Sequence, residues 1–255
     1  ATLQVPPGSA GTFTYALVSV ADASSTLCSQ AQTGSVAVVV NPLPTASISG
    51  TTSVCKDGTA PVVSFTGAGG TLPYTFTYTL NGGAAQTITT SGASNTVTIS
   101  VPTDVAGVFT YSLQSVTDGS ATTCSQPQTG TAVVTILPLP GATINGSTTV
   151  CQGSGSPLIL FTGANGNAPY TFTYTINGGT PQQVSSGAGN SASVPVPTGT
   201  PGTFVYTLQQ VQDAGGALCA QAGAGTAPGG VKTPPPPGAA TSSGALRYAD
   251  STWTL

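Results

Sequence analysis

The sequence predicts an all-β fold: tandem β-sandwich repeats of about 95 residues, followed by a disordered or extended Pro/Gly-rich C-terminal tail. Three observations carry this expectation. The first is composition: across 255 residues there are 34 Gly and 21 Pro but no Met, no His and no Glu, and only 4% of residues are charged. Helices draw on Glu, Lys, Leu and Met, whereas Thr, Val, Tyr and Phe in short runs between Gly, Pro and Asn read as strands and turns. The second is alternation, the period-two pattern of a strand with one buried face. Hydrophobic residues make up 38% of the chain and alternate with Thr and Ser, which excludes a disordered chain too poor in apolar residues to fold. The third is internal repetition.

Cys28 and Cys124 stand 96 residues apart, as do Cys55 and Cys151. VPPGSAGTFTYALVSVADASSTLCSQAQTG, from Val5, aligns without a gap to VPTDVAGVFTYSLQSVTDGSATTCSQPQTG, from Val101, and more than half of the positions are identical. PYTFTYTLNGG at Pro73 returns as PYTFTYTINGG at Pro169. A worn copy of the cysteine phrase, CAQAGAG, follows at Cys219. The expected organisation is therefore residues 1–44 as the C-terminal half of a truncated repeat, 45–140 as a complete repeat, 141–232 as a repeat with a degenerate last strand, and 233–255 as a low-complexity tail. The junctions NPLP and LPLP are short, proline-bearing and extended. Without a start Met or a signal peptide, the sequence reads as an interior piece of something longer.

Within the first complete repeat about seven strands are expected. ASIS opens it at Ala46, and PVVSFTG follows from Pro61, closed by the turn GAGG. In YTFTYTL, Tyr74, Phe76, Tyr78 and Leu80 share one face while Thr75, Thr77 and Thr79 share the other. NGG at Asn81 is a tight hairpin signal. AQTITT and NTVTISV come next, then GVFTYSLQSV with Phe109, Tyr111 and Leu113 in register, and TAVVTIL closes the unit. This number of strands, with turns every 8 to 12 residues, describes an Ig-like sandwich of two sheets.

Two pairings fit the five cysteines. In the expected one each repeat closes on itself, Cys55 with Cys124 and Cys151 with Cys219, and Cys28 stays unpaired because its partner belongs to the missing front half. The reason is that the opening strand of a sandwich runs beside the last one, so a Cys ahead of the second strand can meet one in the loop before the last. Such a bridge would contribute about 4 kcal/mol on the chain-entropy account. In the other pairing, Cys28 joins Cys55 and Cys124 joins Cys151 across the proline junctions, leaving Cys219 alone. Both imply an oxidising, extracytoplasmic setting. Five free, buried thiols in a reducing compartment are the remaining alternative.

The long string formed by SFTGAGGTLPYTFTYTLNGG, VPTDVAGVFTYSLQSVTDGSATTC and a PLP junction resembles the tandem repeats of very large Bacteroidota surface proteins. Those repeats resemble PKD-like and Ig-like domains and include gliding-motility adhesin repeats. The resemblance covers about residues 1–227. It implies secretion to the cell surface and a stalk or adhesin role, and it names no ligand.

The residues offer little for chemistry. Nucleophilic catalysis of the Ser-His-Asp or Cys-His kind needs a base that a chain without His does not supply. The six Asp are scattered, so a carboxylate pair for glycoside hydrolysis is not expected. Asp22, Asp118 and Asp213 share one slot, six residues before Cys28, Cys124 and Cys219. They read as turn residues accepting backbone N–H bonds, in preference to a calcium site, which would gather several carboxylates. The cysteines fall in separated twos, a poor metal set, and no cofactor is expected. GAGG and GANG lack the Lys-Ser/Thr and the helix of a phosphate loop. Three scattered cations, Lys56, Lys232 and Arg247, exclude nucleic-acid binding, and no run is long enough for membrane insertion. The Thr-rich faces read as the solvated sides of sheets, with a flat ligand such as a glycan or ice as the sharper reading. Tyr74 and Tyr78 belong in the core, and Trp253, the one Trp, lies in the tail with Asp250-Ser251-Thr252, a weak match to a Bacteroidota-type O-glycosylation pattern.

The two ends depart from the pattern. TAVVTI becomes TAPGGV, so Pro228, Gly229 and Gly230 replace Val133, Val134 and Thr135, and both residue types disfavour a paired strand. At the front, TFTYALVSV and SVAVVVN form only a hairpin whose apolar face and open edges seek cover. Self-association through these incomplete terminal repeats is one consequence. The function expected from the whole is a non-enzymatic spacer or adhesive stalk of a secreted, extracellular bacterial surface protein with an unknown glycan or protein ligand. The alternatives are a carbohydrate-binding module and an accessory β-sandwich region of a larger secreted hydrolase.

Overall fold

A computed structural model of the chain describes residues 2–5 and 8–235. The expected tail, with Trp253 and the Asp250-Ser251-Thr252 triplet, lies outside the described residues from 236 on. The chain is all-β and built of Ig-like sandwich repeats; the described residues form 22 strands and no helix. It divides into two compact units, one ending at Pro138 and the other beginning at Leu139.

The first unit starts with four strands: β1 (Gly11–Ala16), β2 (Ser19–Ala21), β3 (Ser29–Ala31) and β4 (Ser35–Val40). β1 pairs antiparallel with β4 and β2 with β3. A complete sandwich follows, comprising β5 (Thr45–Ser49), β6 (Thr52–Cys55), β7 (Val62–Ala68), β8 (Thr75–Leu80), β9 (Ala85–Thr89), β10 (Thr96–Ser100), β11 (Gly107–Thr117), β12 (Ser125–Pro127) and β13 (Thr131–Leu137). One sheet has the order β10-β7-β5, and the other β6-β13-β11-β8-β9 with β12 against β11.

The alternating residues do what their period predicts. Val63 and Phe65 of β7 face Phe76 and Tyr78 of β8 across the sandwich, with Phe65 ring centroids 5.7 Å from Phe76 and 5.1 Å from Tyr78. Leu113, Val116, Val134 and Ile136 complete this core and are almost wholly withdrawn from water. At roughly 1.5–3 kcal/mol for each large side chain buried, this face is the main stabilising term of the repeat.

Two short strands escape the sequence pattern, β6 and β12, which are too brief to show alternation. β6 matters more. The opening strand is split: β5 pairs antiparallel with β7 in one sheet, then the chain steps across and β6 runs parallel to β13 in the other. Gly50 makes the step. Its φ is +119°, and a Cβ there would lie 2.4 Å from the Val62 carbonyl oxygen, so the crossing needs a residue without a side chain.

The second unit repeats the plan with β14 (Gly141–Asn145), β15 (Thr148–Cys151), β16 (Leu158–Ala164), β17 (Thr171–Ile176), β18 (Gln182–Ser185), β19 (Ser191–Pro195), β20 (Gly202–Gln212), β21 (Ala220–Ala222) and β22 (Thr226–Lys232). Its sheets are β14-β16-β19 and β15-β22-β20-β17-β18, with β21 against β20. Phe161, Phe172 and Tyr174 take the places of Phe65, Phe76 and Tyr78. The sequence TAPGGVK, expected to resist pairing, forms β22, which pairs with β20 from Thr226 to Val231 and with β15 from Gly229 to Lys232. That removes one side of the self-association expectation, because the closing strand of this repeat is already in place.

Candidate functional site

The chemistry-bearing residues collect at one end of each sandwich, where the β7–β8 loop meets the β11–β12 loop. Asp118 follows β11 and is 4% exposed. Its Oδ1 accepts hydrogen bonds from the Ser120 amide (3.3 Å), the Ser120 hydroxyl (2.7 Å) and the Cys124 amide (2.9 Å), and its Oδ2 accepts one from the Thr71 amide (3.0 Å). Burial alone would push this carboxyl up. The Ser120 hydroxyl and the three backbone amides outweigh it and hold the carboxyl below its ordinary value. Asp118 is thus an ionised loop organiser, its oxygens already engaged by donors of the chain itself.

The same slot is filled in the second unit, where Asp213 accepts from the Asn167 amide (3.1 Å) and the Gly215 amide (3.3 Å). Between β2 and β3, Asp22 accepts from the Ser24 hydroxyl (2.6 Å), the Ser24 amide (3.1 Å) and the Cys28 amide (3.1 Å) but is exposed. Its carboxyl is lowered chiefly by the Ser24 hydroxyl. The turn reading of the three aspartates matches this geometry. Among the described residues no group of three or more His, Cys, Asp or Glu gathers to hold a metal ion.

The glycine strings belong to this end too. A Cβ on Gly67 would lie 2.5 Å from the Tyr74 ring, and one on Gly70 would lie 2.7 Å from Asp118 Oδ2. The Tyr74 hydroxyl donates to the Gly70 carbonyl (3.0 Å) and accepts from the Gly70 amide (3.2 Å). Gly163, Gly166 and Tyr170 repeat the arrangement. GAGG and GANG are therefore packing devices that let a tyrosine and an aspartate close the loop, a role invisible without knowing what lies above each glycine. Tyr74 and Tyr78 are core residues, as their shared face predicts. Burial raises the hydroxyl pKa of Tyr78, Tyr111, Tyr174 and Tyr206, so these phenols remain protonated at neutral pH. The Thr faces carry cross-strand hydroxyl contacts, Thr75 with Thr89 at 2.9 Å and Thr66 with Thr96 at 3.0 Å.

The structure corrects the expected cysteine pairing. Cys28, Cys124 and Cys151 are free thiols, so neither Cys55–Cys124 with Cys151–Cys219 nor the junction-crossing alternative is formed. Cys55 and Cys219 are held as disulfide sulfurs. The reason lies in the split opening strand. The segment beside β13 is β6, not β5, and it runs parallel, bringing Cys55 opposite Leu137 next to the start of β11. Cys124 lies past the other end of β11, its carbonyl accepting from the Asp118 amide at 3.0 Å. The eleven residues of β11 lie between. At about 3.3 Å per residue that is roughly 30 Å or more, whereas a disulfide needs Cα atoms about 4.4–6.8 Å apart. In the second unit, Cys151 opposite Lys232 and Cys219 beside Asp213 are separated in the same way by β20. The thiol of Cys124 is half-buried and sits 3.3 Å from the Thr122 hydroxyl.

No protein-family model matches the chain, and no curated protein matches it. Solved structures do. One is described as "Structural insight into host cell surface retention of a 1.5-MDa bacterial ice-binding adhesin": 17% identity, 76% of this chain and 66% of that one, TM-score 0.45. A second is described as "Ca2+-stabilized adhesin helps an Antarctic bacterium reach out and bind ice": 18% identity, 88% of this chain and 57% of that one, TM-score 0.44. A third is a tetra-tandem repeat in the extending region of a large adhesion protein: 18% identity, 78% of this chain and 52% of that one, TM-score 0.32. The chain thus spans less than two thirds of the length of each of the three structures it is similar to.

Proposed function

We propose that the chain is a structural, adhesive repeat region of a secreted bacterial surface protein, serving as spacer or stalk and not as an enzyme. The repeats belong, on this reading, with those of large Bacteroidota surface adhesins, including the gliding-motility type, and act outside the cell. The observation that carries it is the gap-free 96-residue repetition from Val5 and Val101, continued at Pro73 and Pro169. Selection for one reactive or binding surface would preserve a loop in one copy, whereas here what recurs is the core, the Tyr–Gly lock and the aspartate hub. Disulfide sulfurs at Cys55 and Cys219 support an oxidising compartment. The mechanism is mechanical: each complete module is a closed sandwich, and among the described residues no buried side-chain nitrogen or oxygen lacks a hydrogen-bond partner, so adding modules adds reach without adding flexible linker.

The test is exchange. In the surface protein, residues 45–232 are replaced by two unrelated sandwich modules of equal length. A spacer predicts adhesion unchanged in strength and specificity. Loss of adhesion with surface display retained would transfer the function to a ligand-binding face of these repeats and overturn the reading.

A further inference from the structure

The two complete repeats part company on the outer face of the closing strand. In β22, Ala227, Gly229 and Val231 are buried, so Pro228, Gly230 and Lys232 turn outward. In the first repeat one row of that face runs Ser53, Thr135, Val108 across β6, β13 and β11, with Val133 two residues along β13. In the second the row is Thr149, Gly230, Thr203 across β15, β22 and β20, with Pro228 in the place of Val133. Three changes hollow it. Gly230 takes the side chain away from the middle, Thr149 in place of Ser53 raises one wall, and Thr203 puts a hydroxyl where the exposed Val108 stood.

The result is an open groove of about 320 Å³ lined by Ser147, Thr148, Thr149, Thr203, Pro228 and Gly230. Its size is at the lower end of small-ligand sites, roughly 300–1,000 Å³. The walls stand two strand spacings apart, roughly 9.5 Å. A Cβ on Gly230 would lie 2.8 Å from Thr149 Oγ1, so that hydroxyl leans over the floor.

The lining carries four hydroxyls and no charged side chain. Among the described residues none of the four hydroxyls is engaged by the chain. The first repeat shows why for Ser147: its counterpart Thr51 accepts the Val133 amide at 3.1 Å, and Pro228 has no N–H to offer. Threonines on other faces pair with each other across strands, as Thr75 does with Thr89 and Thr66 with Thr96. Proline and glycine in β22 therefore open space and release hydroxyls at the same spot.

We propose that this groove is a binding site for a neutral saccharide, a pyranose ring of a glycan chain. Sugar hydroxyls both donate and accept, as Ser and Thr hydroxyls do, so each can pair without stranding a donor or an acceptor. The exposed Pro228 ring gives an apolar surface for the C–H face of the sugar. A charged ligand finds no counter-charge in the lining. Four hydrogen bonds of ordinary net worth set a Kd on the order of 1 mM. The inference goes beyond the spacer reading and does not rest on it.

The test titrates the full chain, ¹⁵N-labelled, with neutral linear oligosaccharides of glucose, N-acetylglucosamine, xylose and mannose, and with glycerol as a control for hydroxyl-rich solvent. Saturable amide shifts centred on residues 147–150, 202–204 and 228–231 are expected with at least one saccharide and not with glycerol. Copying the first repeat into the groove, Thr149→Ser with Pro228→Val and Gly230→Thr, fills it and weakens binding at least tenfold. Should that triple variant not fold, Thr203→Val keeps the shape, removes one hydroxyl and weakens binding about fivefold, the worth of one hydrogen bond. Thr143→Val, on the outer face of the other sheet, leaves binding unchanged. No saturable shift with any of the four saccharides, shifts that glycerol reproduces or that centre elsewhere, or an affinity indifferent to the groove variants would each overturn the proposal. The spacer reading would stand in every one of those cases.

Discussion

β13 and β22 occupy the same place in two copies of one fold, yet one reads TAVVTIL and the other TAPGGVK. Composition separates a strong strand former from a sequence that ought to break the ladder. The ladder's phase reconciles them. The Leu113 amide donates to Gly130 (2.9 Å) and the Leu208 amide to Gly225 (3.1 Å), so both ladders start on the same beat. In an antiparallel pair alternate residues exchange bonds with the partner. Residues 132, 134 and 136 therefore turn their backbone groups to β11, and 133 and 135 turn theirs away. The Val133 amide goes instead to the Thr51 hydroxyl, at 3.1 Å. Pro228 stands at the position of Val133, opposite Val205, and so lacks an N–H that β20 does not use. Gly229 stands where Val134 fills the other core, and the space is taken by Val196: a Cβ on Gly229 would lie 2.8 Å from its Cγ2. Proline and glycine are tolerated in this strand because of where each falls.

The sharpest way to break this account is to put proline on the wrong beat. Val134→Pro in β13 removes an N–H that serves β11 and disturbs the packing of a fully buried side chain. A loss of at least about 3 kcal/mol is expected, seen as early unfolding of the first unit in a urea titration followed by tyrosine fluorescence. A cost no greater than that of a proline one residue earlier would show that ladder phase is not what admits Pro228.

Glycines differ by what lies over them, which Gly67→Ala probes. Its new methyl would stand 2.5 Å from a Tyr74 ring that two hydrogen bonds to Gly70 hold in place. Overpacking of this kind costs about 1–3 kcal/mol, and the expected value is near the upper end because the ring is tethered. Gly229→Ala meets the side chain of Val196, with Cγ2 at 2.8 Å and Cγ1 at 2.9 Å, which no hydrogen bond tethers, and is expected to cost less. The ratio of the two costs, from denaturant midpoints of the separate variants, distinguishes a locked neighbour from a yielding one.

Asp118→Asn comes next, and its comparison is with Asp22. Both accept from a serine and a cysteine amide, but Asp118 is also buried and bound to the Thr71 amide, linking two loops. Hydrogen bonds to a charged group are worth about 1.5–3 kcal/mol in net. A loss of about 2 kcal/mol is expected at pH 7, and a clearly smaller one for Asp22→Asn, whose loop is exposed. The carboxyl of Asp118 lies below its ordinary value in the fold. Its contribution is therefore complete above about pH 4, near the value of an unfolded chain, and is lost as pH falls through the depressed folded value. The acid limb of the first unit should flatten in Asp118→Asn, and the two stability curves should converge at low pH.

Much of this was legible in the sequence. The alternation of Tyr74 to Leu80 and of Phe109 to Leu113 marked β8 and β11, and the 96-residue offset fixed the repeat. What failed was what one dimension does not carry. Four residues, Thr52–Cys55, are too few to show a period, so nothing along the chain marks the crossing of β6 to the other sheet. With it went the direction in which Cys55 travels, and a pairing that looked natural along the chain placed its sulfurs at opposite ends of an eleven-residue strand. The penalty assigned to Pro228 was an average over positions, whereas the real cost depends on which N–H the ladder needs. The glycine strings lack the Lys-Ser/Thr and helix of a phosphate loop, but nothing in them marks the seats for Tyr74 and Tyr170, because a ring above a glycine leaves no mark in composition.

The smallest expected effect closes the comparison from the other side. Val133→Pro copies the second unit's residue into the first. Position 133 is half-exposed, its side chain points away from the core, and its amide serves one hydroxyl. The loss should be that of one hydrogen bond, about 0.5–1.5 kcal/mol, offset in part because proline restricts the unfolded chain by about 0.4–1 kcal/mol where its φ fits. A net change within about 1 kcal/mol is expected, with β13 still paired by hydrogen exchange of the Leu113 amide. Adding Thr51→Ala should then cost nothing further, because the hydroxyl's donor is already gone; in the Val133 background the same change should cost what the bond was worth. If the two changes instead add in full, the Thr51 contact is not what replaces the ladder at this position, and tolerance of Pro228 has to come from elsewhere in β22.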